Sequence, residues 1–184
     1  MTAITTKGKR RSHDFYPTTE ARVVHTLLSK LNIPNYWKLF ECCDGDGHIS
    51  KILEKYQKED IFTGDIRDKG WHYFDATDPN LWQQKQPDFT ITNPPFNLAH
   101  LIVPLAYEYS KYGCAMLLRL SYLEPCENRG KWLENHPVSR LIIMPRISFT
   151  GDGKTDSTTT AWFIWDKRST SQEITVIPKE SLNK

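Results

Sequence analysis

The sequence has no uninterrupted apolar run long enough to span a bilayer, so a helical membrane protein is excluded and no membrane partner is expected. Residues 1–11 are polar and lack the apolar core of a signal peptide, so a cytoplasmic location is expected. Cysteine is scarce. Cys42, Cys43, Cys114 and Cys126 match no zinc spacing, so no metal is expected, and reduced thiols are expected rather than a structural disulfide. Charge of one sign is lacking too: 24 Lys and Arg against 22 Asp and Glu leave a net +2 and a pI near 8.3. That balance permits nucleic-acid binding without demanding it, so local clustering matters more than the total. No internal repeat appears, and no linker long enough to divide two domains.

What is present is globular. Six Trp, eight Tyr and eight Phe among 184 residues can furnish one sizeable core. Residues 1–13 read as a basic flexible tail and 14–184 as a single domain. Val23, Val24, Leu27, Leu28 and Leu31 recur at helical spacing, which predicts an amphipathic helix over 19–31. Strands are predicted over 36–41, 61–65, 72–75, 89–93, 114–120, 140–144 and 159–165, with helices over 47–56, 98–110 and 129–134. Strands alternating with helices argue for a mainly parallel sheet. No helix separates the last two strands, so these are expected to pair antiparallel, as an edge partner.

The segment of greatest chemical content is Asn93-Pro94-Pro95-Phe96, which follows the β-branched run Asp88-Phe89-Thr90-Ile91-Thr92. Two prolines fix two φ angles and remove two N–H donors, so neither strand nor helix continues through them. Asn93 is thereby left at a strand's carboxyl end, where open α/β sheets bind ligands, and Phe96 is expected to follow as an exposed flat surface on a stiff support. An amide, a fixed carbonyl and an aromatic face suit a planar group that carries an NH2.

A second segment, Phe40-Glu41-Cys42-Cys43-Asp44-Gly45-Asp46-Gly47, joins the first strand to its helix, and its glycines allow tight turning beside a ligand. Asp65 closes the second strand, where a carboxylate can accept from ribose hydroxyls. Asp75 and Ala76 end the third predicted strand. Upstream stands Asp14-Phe15-Tyr16-Pro17-Thr18-Thr19, immediately before the first helix.

In this order the segments resemble motifs X, I, II/III and IV of the S-adenosylmethionine-dependent adenine-N6 DNA methyltransferases, of the small phage- or prokaryote-like type. The resemblance implies a Rossmann-like class I methyltransferase fold: a seven-stranded, mostly parallel sheet in the order 3-2-1-4-5-7-6, one strand antiparallel, flanked by helices. It implies S-adenosyl-L-methionine as cofactor, held by Tyr16, Pro17, Thr18, Glu41, Cys43, Gly45, Gly47, Asp65, Ile66, Asp75, Ala76 and Asn93. Cys43 stands where glycine or alanine is commoner in the family. Asp78 is an alternative to Asp75, and Phe74 an alternative to Ile66 beside the adenine ring. Asn93, Pro94, Pro95 and Phe96 would form the catalytic corner, with Phe96, Phe149, Arg146 and Lys154 on the substrate side.

The basic run Lys7-Gly8-Lys9-Arg10-Arg11 suits phosphate neutralisation. DNA is favoured over RNA as the partner because the motif X-like segment comes first. RNA adenine methylation and a catalytically silent nucleic-acid-binding role are the alternatives, and methylation of a protein glutamine is a further one. No separate target-recognition domain is expected.

Overall fold

The computed structural model describes residues 17–58, 61–68, 70–147 and 158–182. Its strands are β1 (Leu39–Glu41), β2 (Phe62–Thr63), β3 (Phe89–Thr92), β4 (Gly113–Arg119), β5 (Arg140–Ile143), β6 (Thr160–Asp166) and β7 (Glu173–Val176). The helices are α1 (Ala21–Lys30), α2 (Ser50–Leu53), α3 (Pro79–Lys85), α4 (Ala99–Tyr109) and α5 (Glu127–Asn135). The strands form one sheet in the order β2-β1-β3-β4-β6-β5-β7. Six strands run one way and β6 runs against them.

The sheet is buried on both faces, which is why β4 and β6 read as near-continuous apolar runs instead of alternating ones. On one face α1 and α2 pack Val23, Val24, Leu27 and Leu53 against Leu39, Ile91, Leu117 and Trp162. On the other, α3 and α4 pack Trp82, Ile102 and Val103 against Phe40, Met116 and Phe163. Burying one such aliphatic side chain contributes about 1.5–3 kcal/mol before the entropy of ordering is subtracted. The large aromatics also satisfy their polar atoms. Trp162 Nε1 donates to the Val23 carbonyl at 3.0 Å, which pins α1 to the sheet.

Several elements depart from the sequence-based expectation. The third predicted strand is reduced to a single bridge between Asp65 and Tyr73. Counted as a strand, that bridge completes the expected order on the β2 side. The last two expected strands pair antiparallel, as β5 and β6; β6 is interior, the place the order 3-2-1-4-5-7-6 gives it, rather than an edge partner, because β5 and then β7 lie outside it. The edge strand β7 went unpredicted: Ile174 and Val176 are exposed, so its pattern carries no burial signal. The helix expected over 47–56 shrinks to α2, because the turns through Asp44–Ile49 consume its first residues. Helix α3 has no counterpart among the expected elements, although Asp78 caps it, accepting from Asn80 N–H, with Pro79 at the first helical position.

Candidate active site

The strand order reverses at β1, whose parallel neighbours β2 and β3 connect onward in opposite directions, and a cleft opens at the carboxyl ends of β1 and β3. Counted out to its open mouth, it encloses about 760 Å³. Four segments distant in sequence line it. These are Pro17 and Thr18 before α1, the turn after β1, residues 65–67 and 74–77 after β2, and Asn93-Pro94-Pro95 after β3.

The turn after β1 is shaped by its sequence. Gly45 and Gly47 have φ of 62° and 76°, in the left-handed region that L side chains resist. Beneath the turn, Glu41 is fully buried. Its Oε1 accepts from Cys43 N–H at 3.0 Å and from the Thr92 hydroxyl. Glu41 therefore does not line the cleft; it clamps the turn after β1 to the last residue of β3. Burial pushes its carboxyl well above the usual carboxylate range, with the Thr92 and Cys43 bonds opposing. Asp44 follows in the cleft wall, raised by burial against the hydrogen bond of Ser50. Its Oδ1 is buried and has no hydrogen-bond partner among the described residues.

Asp65 reaches the cleft with its carboxylate already engaged. Oδ2 accepts from Gly45 N–H at 2.8 Å, and Oδ1 from the Arg67 N–H and Nε at 2.8 and 2.9 Å. It thus ties the turn after β1 to the end of β2, and three of its roughly four lone-pair positions are used. Asp75, not Asp78, lines the cleft, and its Oδ1 accepts from Thr77 N–H and hydroxyl at 2.9 and 2.7 Å. Ala76 is held from below, since Trp82 Nε1 takes its carbonyl at 2.9 Å. Phe40, Phe74 and Trp82 meet edge-to-face with centroids 4.8–5.4 Å apart, a rigid floor under this wall. Both Ile66 and Phe74 border the cleft.

At the Asn93 corner, Nδ2 donates to Thr18 Oγ1 at 3.0 Å, joining the segment before α1 to the end of β3. Phe96 is half-buried instead of exposed: it packs against apolar residues of both sheet faces, and Arg119 Cζ lies 4.6 Å from its ring centroid. Arg146 is exposed and leaves β5 at the same edge of the sheet, outside the cleft lining. Gly45 and Gly47 shape the turn without lining the cleft. Tyr16, Phe149, Lys154 and the basic run over 7–11 lie outside the described residues.

Sequence reasoning missed Cys42, Asp44, Asp46, His48, Ile49, Arg67, Thr77, Leu98 and Ile102 as cleft residues. Asp44 and His48 were within reach of inference, standing in the same turn as Cys43. Leu98 and Ile102 carried no signal beyond helical apolarity. Among the described residues no cluster of His, Cys, Asp and Glu could hold a metal ion, and no helix is long and apolar enough to cross a membrane.

No protein-family model matches the sequence, and no curated protein does. Solved structures do match in shape. A provisionally named modification subunit of a type I restriction enzyme from Vibrio vulnificus superposes with a TM-score of 0.61 at 14% identity, over 88% of this chain. This chain spans only 47% of that subunit's length. A class I S-adenosylmethionine-dependent methyltransferase from Listeria monocytogenes, also provisionally named, gives 0.61 at 13% identity, over 97% of this chain and 69% of its own. A protein from Lactococcus lactis provisionally named a hemolysin gives 0.57 at 14% identity, over 91% of this chain and 97% of its own.

Proposed function

We propose that this chain, whose fold is that of the class I S-adenosylmethionine-dependent methyltransferases, acts as one catalytic domain and methylates the N6 amino group of adenine in DNA with S-adenosylmethionine as donor. The observation that carries the reading is convergence: Thr18, Cys43, Asp65 with Asp75, and Asn93 come from four distant segments and line one cleft. The likeness to a restriction-enzyme modification subunit is consistent with DNA as the substrate.

The cleft residues fit such a cofactor. Asp44 Oδ1, buried without a partner among the described residues, suits an ammonium group. Ile66, Phe74 and Ala76 offer apolar walls for an adenine ring, with Asp75 at its edge to accept from an amino group. Asp65 can accept a ribose hydroxyl at its remaining lone pair, or at more than one if Arg67 turns away. Thr18, fixed by Asn93, offers its own hydroxyl proton to a carboxylate. Bound S-adenosylmethionine supplies an electrophilic methyl group whose sulfonium leaving group drives the transfer.

The protein's part is orientation and charge stabilisation. An exocyclic adenine nitrogen is a weak nucleophile because its lone pair is delocalised into the ring. With Asn93 Nδ2 turned to Thr18, Oδ1 is the end of the amide that accepts one amine proton, and the Pro94 carbonyl accepts the other. Both bonds strengthen as the nitrogen becomes tetrahedral and positive, so they favour the transition state over the ground state. The prolines hold the two acceptors without reorganisation. No general base is needed before transfer; afterwards the positively charged, methylated nitrogen releases one of its protons to water, leaving the neutral N6-methyladenine. A base within a duplex must first be flipped out.

The test is transfer of labelled methyl from the cofactor to separate DNA, RNA and protein pools, followed by nucleoside analysis. Label in N6-methyladenine from DNA is the expected result. Label confined to RNA supports the RNA alternative, and cofactor binding without transfer to any pool supports the silent role.

A further inference from the structure

Arg119 lies at the carboxyl end of β4, beside the Asn93 corner, and no step above employs it. Strands β3 and β4 are parallel, with Thr92 level with Met116. Phe89 and Ile91 of β3 share a sheet face with Ala115 and Leu117 of β4. Alternation places Asn93 and Arg119 on that same face, Arg119 being one side-chain repeat, or about 6.6 Å, further along. The hydrogen bond of Asn93 to Thr18, which precedes α1 on this face, agrees with that placement. The Arg119 guanidinium lies over the Phe96 ring, with Cζ 4.6 Å from the centroid, and the residue is half-buried, its Nε buried. A guanidinium carries its N–H donors in a planar fork whose geometry matches a phosphate.

We infer that Arg119 anchors a backbone phosphate of the substrate strand beside the methyl-accepting base, so that the Asn93 corner is built for a polyanion rather than for a protein amide. This rests on the reading of that corner as the amine site. A base turned into the corner leaves its own phosphates outside it, on the side where Arg119 extends β4 beyond the level of Asn93, whereas a glutamine side chain brings no anion with it. Arg119 is thus a substrate-positioning residue, and Phe96 is its support as well as a stacking surface.

The experiment is fluorescence anisotropy of the full chain with a dye-labelled, adenine-containing oligonucleotide, single-stranded and duplex, across a salt series. Each phosphate contact contributes about 0.7–0.9 to the slope of log affinity against log salt, so Arg119→Met should weaken binding and flatten the slope by that amount. Arg119→Lys should keep the slope, because the point charge is retained. Arg168→Met should also keep it, since Arg168 sits over Trp37, beyond the Asp166 end of β6 and at the opposite edge of the sheet. Thermal melts confirm that each variant is folded. The inference is overturned by an unchanged slope in Arg119→Met, by an equal fall in Arg168→Met, or by a wild-type chain that binds oligonucleotide without salt dependence or not at all. A slope that falls as expected, in a chain that transfers no methyl group to DNA, sinks the methylation reading alone and leaves the phosphate anchor standing.

Discussion

Thr92→Val severs the buried link between the turn after β1 and the Asn93 corner while nearly preserving shape. Both Thr92 and Glu41 are fully buried, so no water replaces the lost hydroxyl. Leaving a buried carboxyl short of one donor costs about 1–3 kcal/mol. For a chain of this length each kcal/mol lowers Tm by about 2–4 °C, so a fall of roughly 2–12 °C is expected. The sign with pH follows from the linkage. Burial raises the folded pKa of Glu41 well above its ordinary value, and the Thr92 bond partly restores it by favouring the charged form. The stability that Glu41 contributes is therefore present in full below its unfolded pKa, near 4.3, and is lost as pH rises through the folded value. Removing Thr92's bond raises that folded value further, so the deficit should be larger at pH 8 than at pH 5. Urea denaturation at both pH values, in a double-mutant cycle with Glu41→Gln, measures it. A coupling energy between about 0.5 and 3 kcal/mol is expected. Equal deficits at the two pH values, together with additivity within about 0.5 kcal/mol, would refute the clamp.

Asn93→Ala should lower kcat by about 10²–10³, the usual cost of losing one preorganised transition-state contact. Its bond to Thr18 predicts a secondary loss of cofactor affinity of about fivefold, near 1 kcal/mol, by calorimetry; equal losses in both quantities would contradict the division of labour. Asp65→Ala should raise the cofactor Kd roughly tenfold or more, because the charge-assisted bonds that organise the turn at Gly45 go with it. An unchanged calorimetric Kd removes Asp65 from the site. Gly113→Ala should destabilise by about 2–6 kcal/mol, combining left-handed strain with overpacking, since φ is 125° and a Cβ would stand 1.8 Å from the Trp165 carbonyl oxygen. A melting curve like that of the wild type would show that the β4–β6 contact relaxes freely.

The order of motifs along the chain was enough to name the cleft's main segments, because backbone chemistry there is local. Two prolines end a strand wherever they occur, and paired glycines open a turn. Apolar runs likewise declared β3, β4 and β6. What the sequence withheld depends on contacts between distant residues. Asp65 looks like a free carboxylate in a linear reading, yet in three dimensions Gly45 and Arg67 have claimed most of it. Glu41 looks like a ligand, and packing makes it a buried clamp on Cys43 and Thr92. Asp75 and Asp78 were indistinguishable until helix α3 took Asp78 for its cap. The exposed edge strand β7 carries no apolar period, so only its pairing with β5 identifies it. The sequence determined which chemical groups arrive at the carboxyl edge of the sheet. Tertiary structure decided which of them remain open to a ligand, because hydrogen bonds between distant segments spend a side chain's capacity in ways no local pattern records.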